Sequence, residues 1–91
     1  MARVDWPEHV LVQIDTIIAY VRQDDPAAAN RLALRLIAVG DSLSDFPHRG
    51  RPAAGNTREL ASVAPYVLRY RVQGDFVTIR GIRHGARRRL D

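Results

Sequence analysis

Residues 57–89 read TRELASVAPYVLRYRVQGDFVTIRGIRHGARRR, and their centre constrains the fold more than any other stretch. Two runs rich in β-branched and aromatic residues flank Gly74-Asp75, a pair that favours a two-residue hairpin with glycine supplying the positive φ of a type II′ turn. With those two residues as the loop, Val72 falls opposite Val77, Tyr70 opposite Ile79 and Leu68 opposite Gly81. Side chains alternate across a strand, so Tyr66, Leu68, Tyr70, Val72, Val77 and Ile79 share one face. A slip of one residue would turn both apolar sets outward, so the register is strongly specified.

The opposite face is cationic. Strict alternation puts Arg69 directly opposite Arg80 and Arg71 beside Thr78. Like charges in that position cost roughly 0.2–1 kcal/mol. Either Glu59 on the preceding strand neutralises the arginines, or they stay solvated, or an anion or acidic partner visits the surface. Arg83, Arg87, Arg88 and Arg89 extend the band. The net charge of +4 hides an asymmetry that favours a partner: residues 1–48 carry −3 and residues 49–91 carry +7. Such a distribution suits an acidic protein or a nucleic acid. All 14 basic residues are arginine, whose planar guanidinium pairs bidentately with carboxylate or phosphate.

Ahead of the hairpin, Arg3–Trp6 reads as a short edge strand. Val10, Ile14, Ile17, Ile18 and Val21 recur at helical spacing with Leu11 flanking them, predicting a helix over 7–23 that starts at Pro7. Asp25 as N-cap and Pro26 as first residue open a second helix, expected over 26–45. Its inner stripe is Ala29, Leu32, Ala33, Leu36, Gly40 and Leu43, with Ala33 and Gly40 small enough to let the two helices approach. Leu34 and Ile37 fall beside that stripe, either as periphery of the core or as an apolar groove for a partner helix. Phe46-Pro47 ends the helix, HRGRPAAGN is a loop, and strands follow over 57–61, 66–72 and 76–84. The order is β-α-α-β-β-β, an α+β fold in which an antiparallel sheet packs against an N-terminal helical hairpin.

Ninety-one residues make one domain, 1–91, with one modest core. No cysteine is present, which removes disulfides, a thiol nucleophile and zinc-finger patterns. The start of the chain lacks the apolar run of a signal peptide and no segment has the length of a membrane span, so a cytoplasmic protein is expected. His9, His48 and His84 have no metal-ligand spacing, and no phosphate-cradling glycine loop implies a cofactor. Ser42, Ser44 and Ser62 lack base and acid partners in the sequence. One constellation has catalytic chemistry: Arg58, Glu59, Arg69, Arg83 and His84 combine proton-transfer groups with cations for a phosphate, as RNA cleavage requires. Its alternative is a surface histidine at a strand end and a glutamate bonded to arginine.

The segments DWPEHVLVQIDTIIAYV, DDPAAANRLALRLIAVGDSLSDFPHRGRP and TREL…PYVLRYRV…VTIRGIRHGARR together resemble the RelE/ParE superfamily of bacterial type II toxins, most closely its ParE branch. The resemblance covers nearly the whole chain. It implies a small toxin held inactive by a cognate ParD-like antitoxin that wraps it. In the ParE branch the implied target is DNA gyrase, poisoned without catalysis by the toxin. In the RelE branch the toxin enters the ribosome and cuts mRNA, and Arg58, Arg69, Arg83 and His84 would then match the site. The chain departs from that site: it has no lysine, no glutamate in the 49–56 loop and no tyrosine after Tyr70. The expectation is therefore a gyrase inhibitor whose partner-binding residues are Leu34, Ile37, Arg58, Arg69, Arg71, Arg80, Arg83, Arg87, Arg88 and Arg89. A ribosome-dependent mRNA endonuclease is the alternative. A plain nucleic-acid-binding module comes third, since only Tyr66, Tyr70 and Phe76 offer rings to stack on bases.

Overall fold

The structure, a computed structural model, describes residues 1–85. Arg87, Arg88 and Arg89 lie outside the described residues. Five strands and two helices follow the order β1 (Arg3–Asp5), α1 (Glu8–Arg22), α2 (Pro26–Asp41), β2 (Arg51–Pro52), β3 (Thr57–Val63), β4 (Tyr66–Gln73) and β5 (Phe76–His84). The sheet order is β1-β5-β4-β3-β2. β1 joins β5 in parallel and the other pairings are antiparallel, so the sheet is mixed. The two-residue β2 lies within the stretch expected to be all loop.

Both helices cover one face of the sheet. Val10, Ile14 and Ile18 from α1 and Ala29 and Leu36 from α2 are buried against Leu60, Leu68, Tyr70, Val77, Ile79 and Ile82. Full burial of each large aliphatic or aromatic side chain there contributes about 1.5–3 kcal/mol. Pro7 is the N-cap of α1 rather than its first helical residue, and Glu8 occupies the first turn. Asp25 caps α2 as its sequence indicates, its Oδ1 accepting from Ala28 N at 3.0 Å. α2 gives way at Ser42–Ser44 to a 3₁₀ turn that tucks Leu43 into the core. The expected single helix to residue 45 is therefore two pieces.

Gly40 admits a different neighbour from the one expected. A β-carbon there would collide with the six-membered ring of Trp6, so the glycine makes room for the indole rather than for α1. Trp6 Nε1 donates to Asp41 Oδ1 at 3.1 Å and pins β1 to the end of α2.

The hairpin turns at Gly74, whose φ of 56° is positive while Asp75 stays in negative φ, as a type II′ turn needs. Val72 pairs with Val77, Arg71 with Thr78 and Tyr70 with Ile79. Beyond that point the register shifts: Arg69 pairs with Gly81 and Leu68 with Ile82, leaving Arg80 as the extra residue of a β-bulge. Two expectations are corrected here, Leu68 opposite Gly81 and Arg69 opposite Arg80. Burial supplies the reason. Strict alternation would turn Gly81 inward and Ile82 out to solvent, whereas the bulge buries Ile82 beside Leu68. α1 holds the bulge from its own side: Gln13 Oε1 accepts from Ile82 N at 3.0 Å, and His9 Nε2 lies 3.3 Å from the Arg80 carbonyl oxygen.

Candidate functional site

The face of the sheet away from the helices carries the cations in two rows. In the first, Arg51 on β2 pairs with Glu59 on β3, which pairs with Arg69 on β4, which pairs with Gly81 on β5. In the second, Arg71 on β4 lies between Thr57 on β3 and Thr78 on β5. Arg83 sits opposite Val67 and reaches over β4, its Nη2 donating to Glu59 Oε1 at 3.0 Å.

Glu59 is thus shared. Arg83 approaches it at 3.0 Å, Arg69 at 3.7 Å and Arg51 at 3.8 Å, and its side chain is 13% exposed. One carboxylate faces three guanidiniums, so the neutralisation that the sequence allowed is real but incomplete. Arg71 stands one row away on the same face, with Asp5 beyond Thr78 on β1. Its Nε is enclosed and has no hydrogen-bond partner among the described residues. Ala61 and Val67 give the surface an apolar element, lining with Arg51 and Glu59 a cleft of about 340 Å³.

Other members of the sequence-derived set lie elsewhere. Arg58 pairs with Tyr70 and shares its side of the sheet, away from the arginine rows. Its Nη1 donates to the carbonyls of Gly50 at 2.7 Å and His48 at 3.3 Å, fastening the loop that leads into β2. Tyr70, fully buried, completes that fastening by accepting from Gly50 N at 2.7 Å. His84 pairs with Tyr66 on the helix side, the two rings meeting edge-on with centroids 5.4 Å apart. There it borders a cleft of about 430 Å³ with Thr16, Ile17, Tyr20 and Ile82. His84 and Glu59 therefore face opposite sides of the sheet. Ser42 and Ser62 serve as acceptors for Arg49, at 2.9 and 3.4 Å.

On α2, Leu34 is 73% exposed and Ile37 lies beside it at the edge of solvent. Leu34 is therefore not periphery of the core, and the pair forms an apolar patch one helical turn long. Arg80 is exposed at the bulge. Among the described residues no cluster of three histidine, aspartate or glutamate side chains is placed to hold a metal ion, and no helix is long and apolar enough to cross a membrane. The sequence did not single out Arg51, Thr57 or Thr78 as functional. Arg51 lay in an expected loop, and the two threonines gain their position only once β4 is flanked on both sides.

The fold is a small α+β domain with an arginine-rich outer sheet face and a helical hairpin behind it. Residues 4–89 match the family described as ParE toxin of type II toxin-antitoxin system, parDE, and the chain belongs to that family. It is 47% identical over 87 residues to toxin RelE2 of Caulobacter vibrioides, covering 96% of this chain and 99% of that protein. Toxin RelE1 of the same organism is 40% identical over 76 residues, covering 80% of this chain and 82% of that protein. Putative toxin Y4kP of Sinorhizobium fredii is 39% identical over 75 residues, covering 80% and 78%. The fold is similar to a chain of the chromosomal ParDE TA system from P. aeruginosa, with a TM-score of 0.81 at 20% identity, covering 92% of this chain and 96% of that one. The protein is accordingly a type II toxin of the ParE/RelE superfamily.

Proposed function

We propose that this toxin is neutralised by a ParD-like antitoxin and that, when released, it poisons DNA gyrase in the cytoplasm without catalysing a reaction of its own. What supports the reading is the separation of His84 from Glu59 by the thickness of the sheet. A ribonuclease needs a base near the attacking hydroxyl, an acid near the leaving oxygen and cations around the phosphate between them. Here the cations gather about Glu59, which already accepts from Arg83 and faces two more arginines. The histidine sits against Tyr66 on the other side. An inhibitor that works by occupancy needs only a complementary surface, and the arginine rows with the Leu34–Ile37 patch supply one.

The relatives named RelE and the family described as ParE share one fold, so names do not choose between targets. The deciding experiment incubates the purified toxin with gyrase and supercoiled plasmid. Inhibited supercoiling with accumulation of cleaved DNA supports the reading. Codon-dependent mRNA cutting that appears only when ribosomes are added, with gyrase unaffected, overturns it in favour of the endonuclease.

A further inference from the structure

Arg71 stands on the outer face with no side-chain hydrogen bond or ion pair among the described residues. Arg51, Arg69 and Arg83 share Glu59, while the Nε–H of Arg71 is enclosed without a partner among the described residues. Nε is out of reach of an outside group, but the two Nη atoms are not enclosed and also lack a partner among the described residues, so they are the donors a visiting acceptor meets. Thr57 and Thr78 flank Arg71 in register on the two neighbouring strands, and each brings a hydroxyl able to donate. A guanidinium between two hydroxyls is a donor set for a small oxygen anion.

The neighbouring row restricts what can bring that anion. The cleft of about 340 Å³ beside it is bounded by Ala61 and Val67 as well as by Arg51, which suits an apolar side chain better than a sugar-phosphate backbone. A peptide presenting a carboxylate and a nearby aliphatic side chain meets both demands. Arg51, Arg69, Arg71 and Arg83 stand around the single carboxylate of Glu59, and Asp5 enters only beyond Thr78 on β1, so the segment complementary to these arginines is acidic.

We propose that Arg71, flanked by Thr57 and Thr78, seats a carboxylate of the antitoxin, whose chain crosses the outer face and places an apolar side chain between Ala61 and Val67. This rests on the reading that an acidic antitoxin is the partner. The seat is distinct from the Leu34–Ile37 patch, which lies on the helical layer behind the sheet.

The test titrates the full-length toxin with the protein of the adjacent reading frame, at low and at moderate salt. Arg71→Gln should weaken binding about tenfold or more. The double variant Thr57→Val/Thr78→Val keeps both β-branched shapes and should weaken it several-fold on its own. Arg22→Gln, at the end of α1 on the helical layer, should change nothing and controls for loss of net charge. In wild-type toxin the Arg71 Nε–H resonance should shift on addition of the antitoxin. If the antitoxin binds wild type while the Arg71 and threonine variants bind it equally well, the seat is wrong and the antitoxin reading stands. If those variants lose affinity only for a single-stranded RNA oligonucleotide, the face belongs to nucleic acid and the proposal is overturned. If wild-type toxin ignores the neighbouring protein altogether, the underlying reading fails as well.

Discussion

Arg83 Nη2 donates to Glu59 Oε1 across the whole width of β4, joining two strands that do not pair with each other. The bond is 3.0 Å long and Glu59 is mostly enclosed, whereas Arg51, 80% exposed, adds little. Glu59→Gln keeps an acceptor but leaves three guanidiniums without a counter-charge. The cost lies between that of an exposed and a buried pair, about 1–2 kcal/mol. Urea unfolding should show the midpoint falling with the slope unchanged. An unaltered midpoint would mean that the carboxylate does not organise the cluster.

Tyr70 lies in the core, and its hydroxyl is the acceptor for Gly50 N. Tyr70→Phe keeps the ring and strands the amide, at a cost of about 1–3 kcal/mol. The loop that delivers Arg51 to Glu59 should loosen with it. Amide exchange at Gly50 should accelerate more than exchange in the middle of β4 and β5, and uniform acceleration would argue against a local fastening.

Replacing a helical glycine by alanine ordinarily gains up to about 1 kcal/mol. At Gly40 the sign reverses, because the new methyl group meets the Trp6 ring, which is itself tied to Asp41. Overpacking of this kind typically costs about 1–3 kcal/mol, so Gly40→Ala should be less stable than wild type. Trp6 is the single tryptophan of the chain, which lets its fluorescence report the displacement directly. A stabilised variant with unchanged emission would show that the ring moves aside freely.

These three sites also mark where the sequence could be read and where it could not. The hairpin turn, the start of α2 and its Asp25 cap rest on local chemistry and appear where alternation, spacing or capping puts them, while α1 begins one residue after Pro7. The bulge at Arg80 is a tertiary decision: burying Ile82 outweighs unbroken pairing, and the contacts from Gln13 and His9 that support it come from about seventy residues away. Gly81 inside a strand was the one local hint. The place of Gly40 beside Trp6 is equally long-range. The residues of the nuclease constellation do not share one face, for a reason the sequence did contain. It groups Arg58 with Glu59 and Arg83 with His84, neighbours in a strand, and alternation sends each pair to opposite faces. β2, only two residues long, has too little pattern to be seen before β3 is placed beside it.

His84 provides a direct check on the target. Its ring meets Tyr66 edge-on, a contact contributing about 0.5–1.5 kcal/mol, so His84→Ala should melt slightly lower than wild type. As an inhibitor acting by occupancy, the variant should still arrest growth when expressed without antitoxin and should still inhibit gyrase. Loss of arrest in a variant that remains folded at the growth temperature would restore the histidine to a catalytic role and remove the gyrase reading.

Leu34 tests the other half of the surface. With 73% of it in solvent, Leu34→Asp should leave stability within about 0.5 kcal/mol of wild type. If the antitoxin lays an apolar helix face on α2, the same change should cost at least tenfold in affinity, since a carboxylate would then be desolvated without a partner. Combined with Arg71→Gln, the two losses should add, because Leu34 on the solvent side of α2 and Arg71 on the outer sheet face lie on opposite sides of the sheet. Additive losses would describe one partner that reaches around the domain. A double variant no weaker than Arg71→Gln alone would show that the antitoxin approaches only from the sheet side, and Leu34 with Ile37 would no longer count among its contacts.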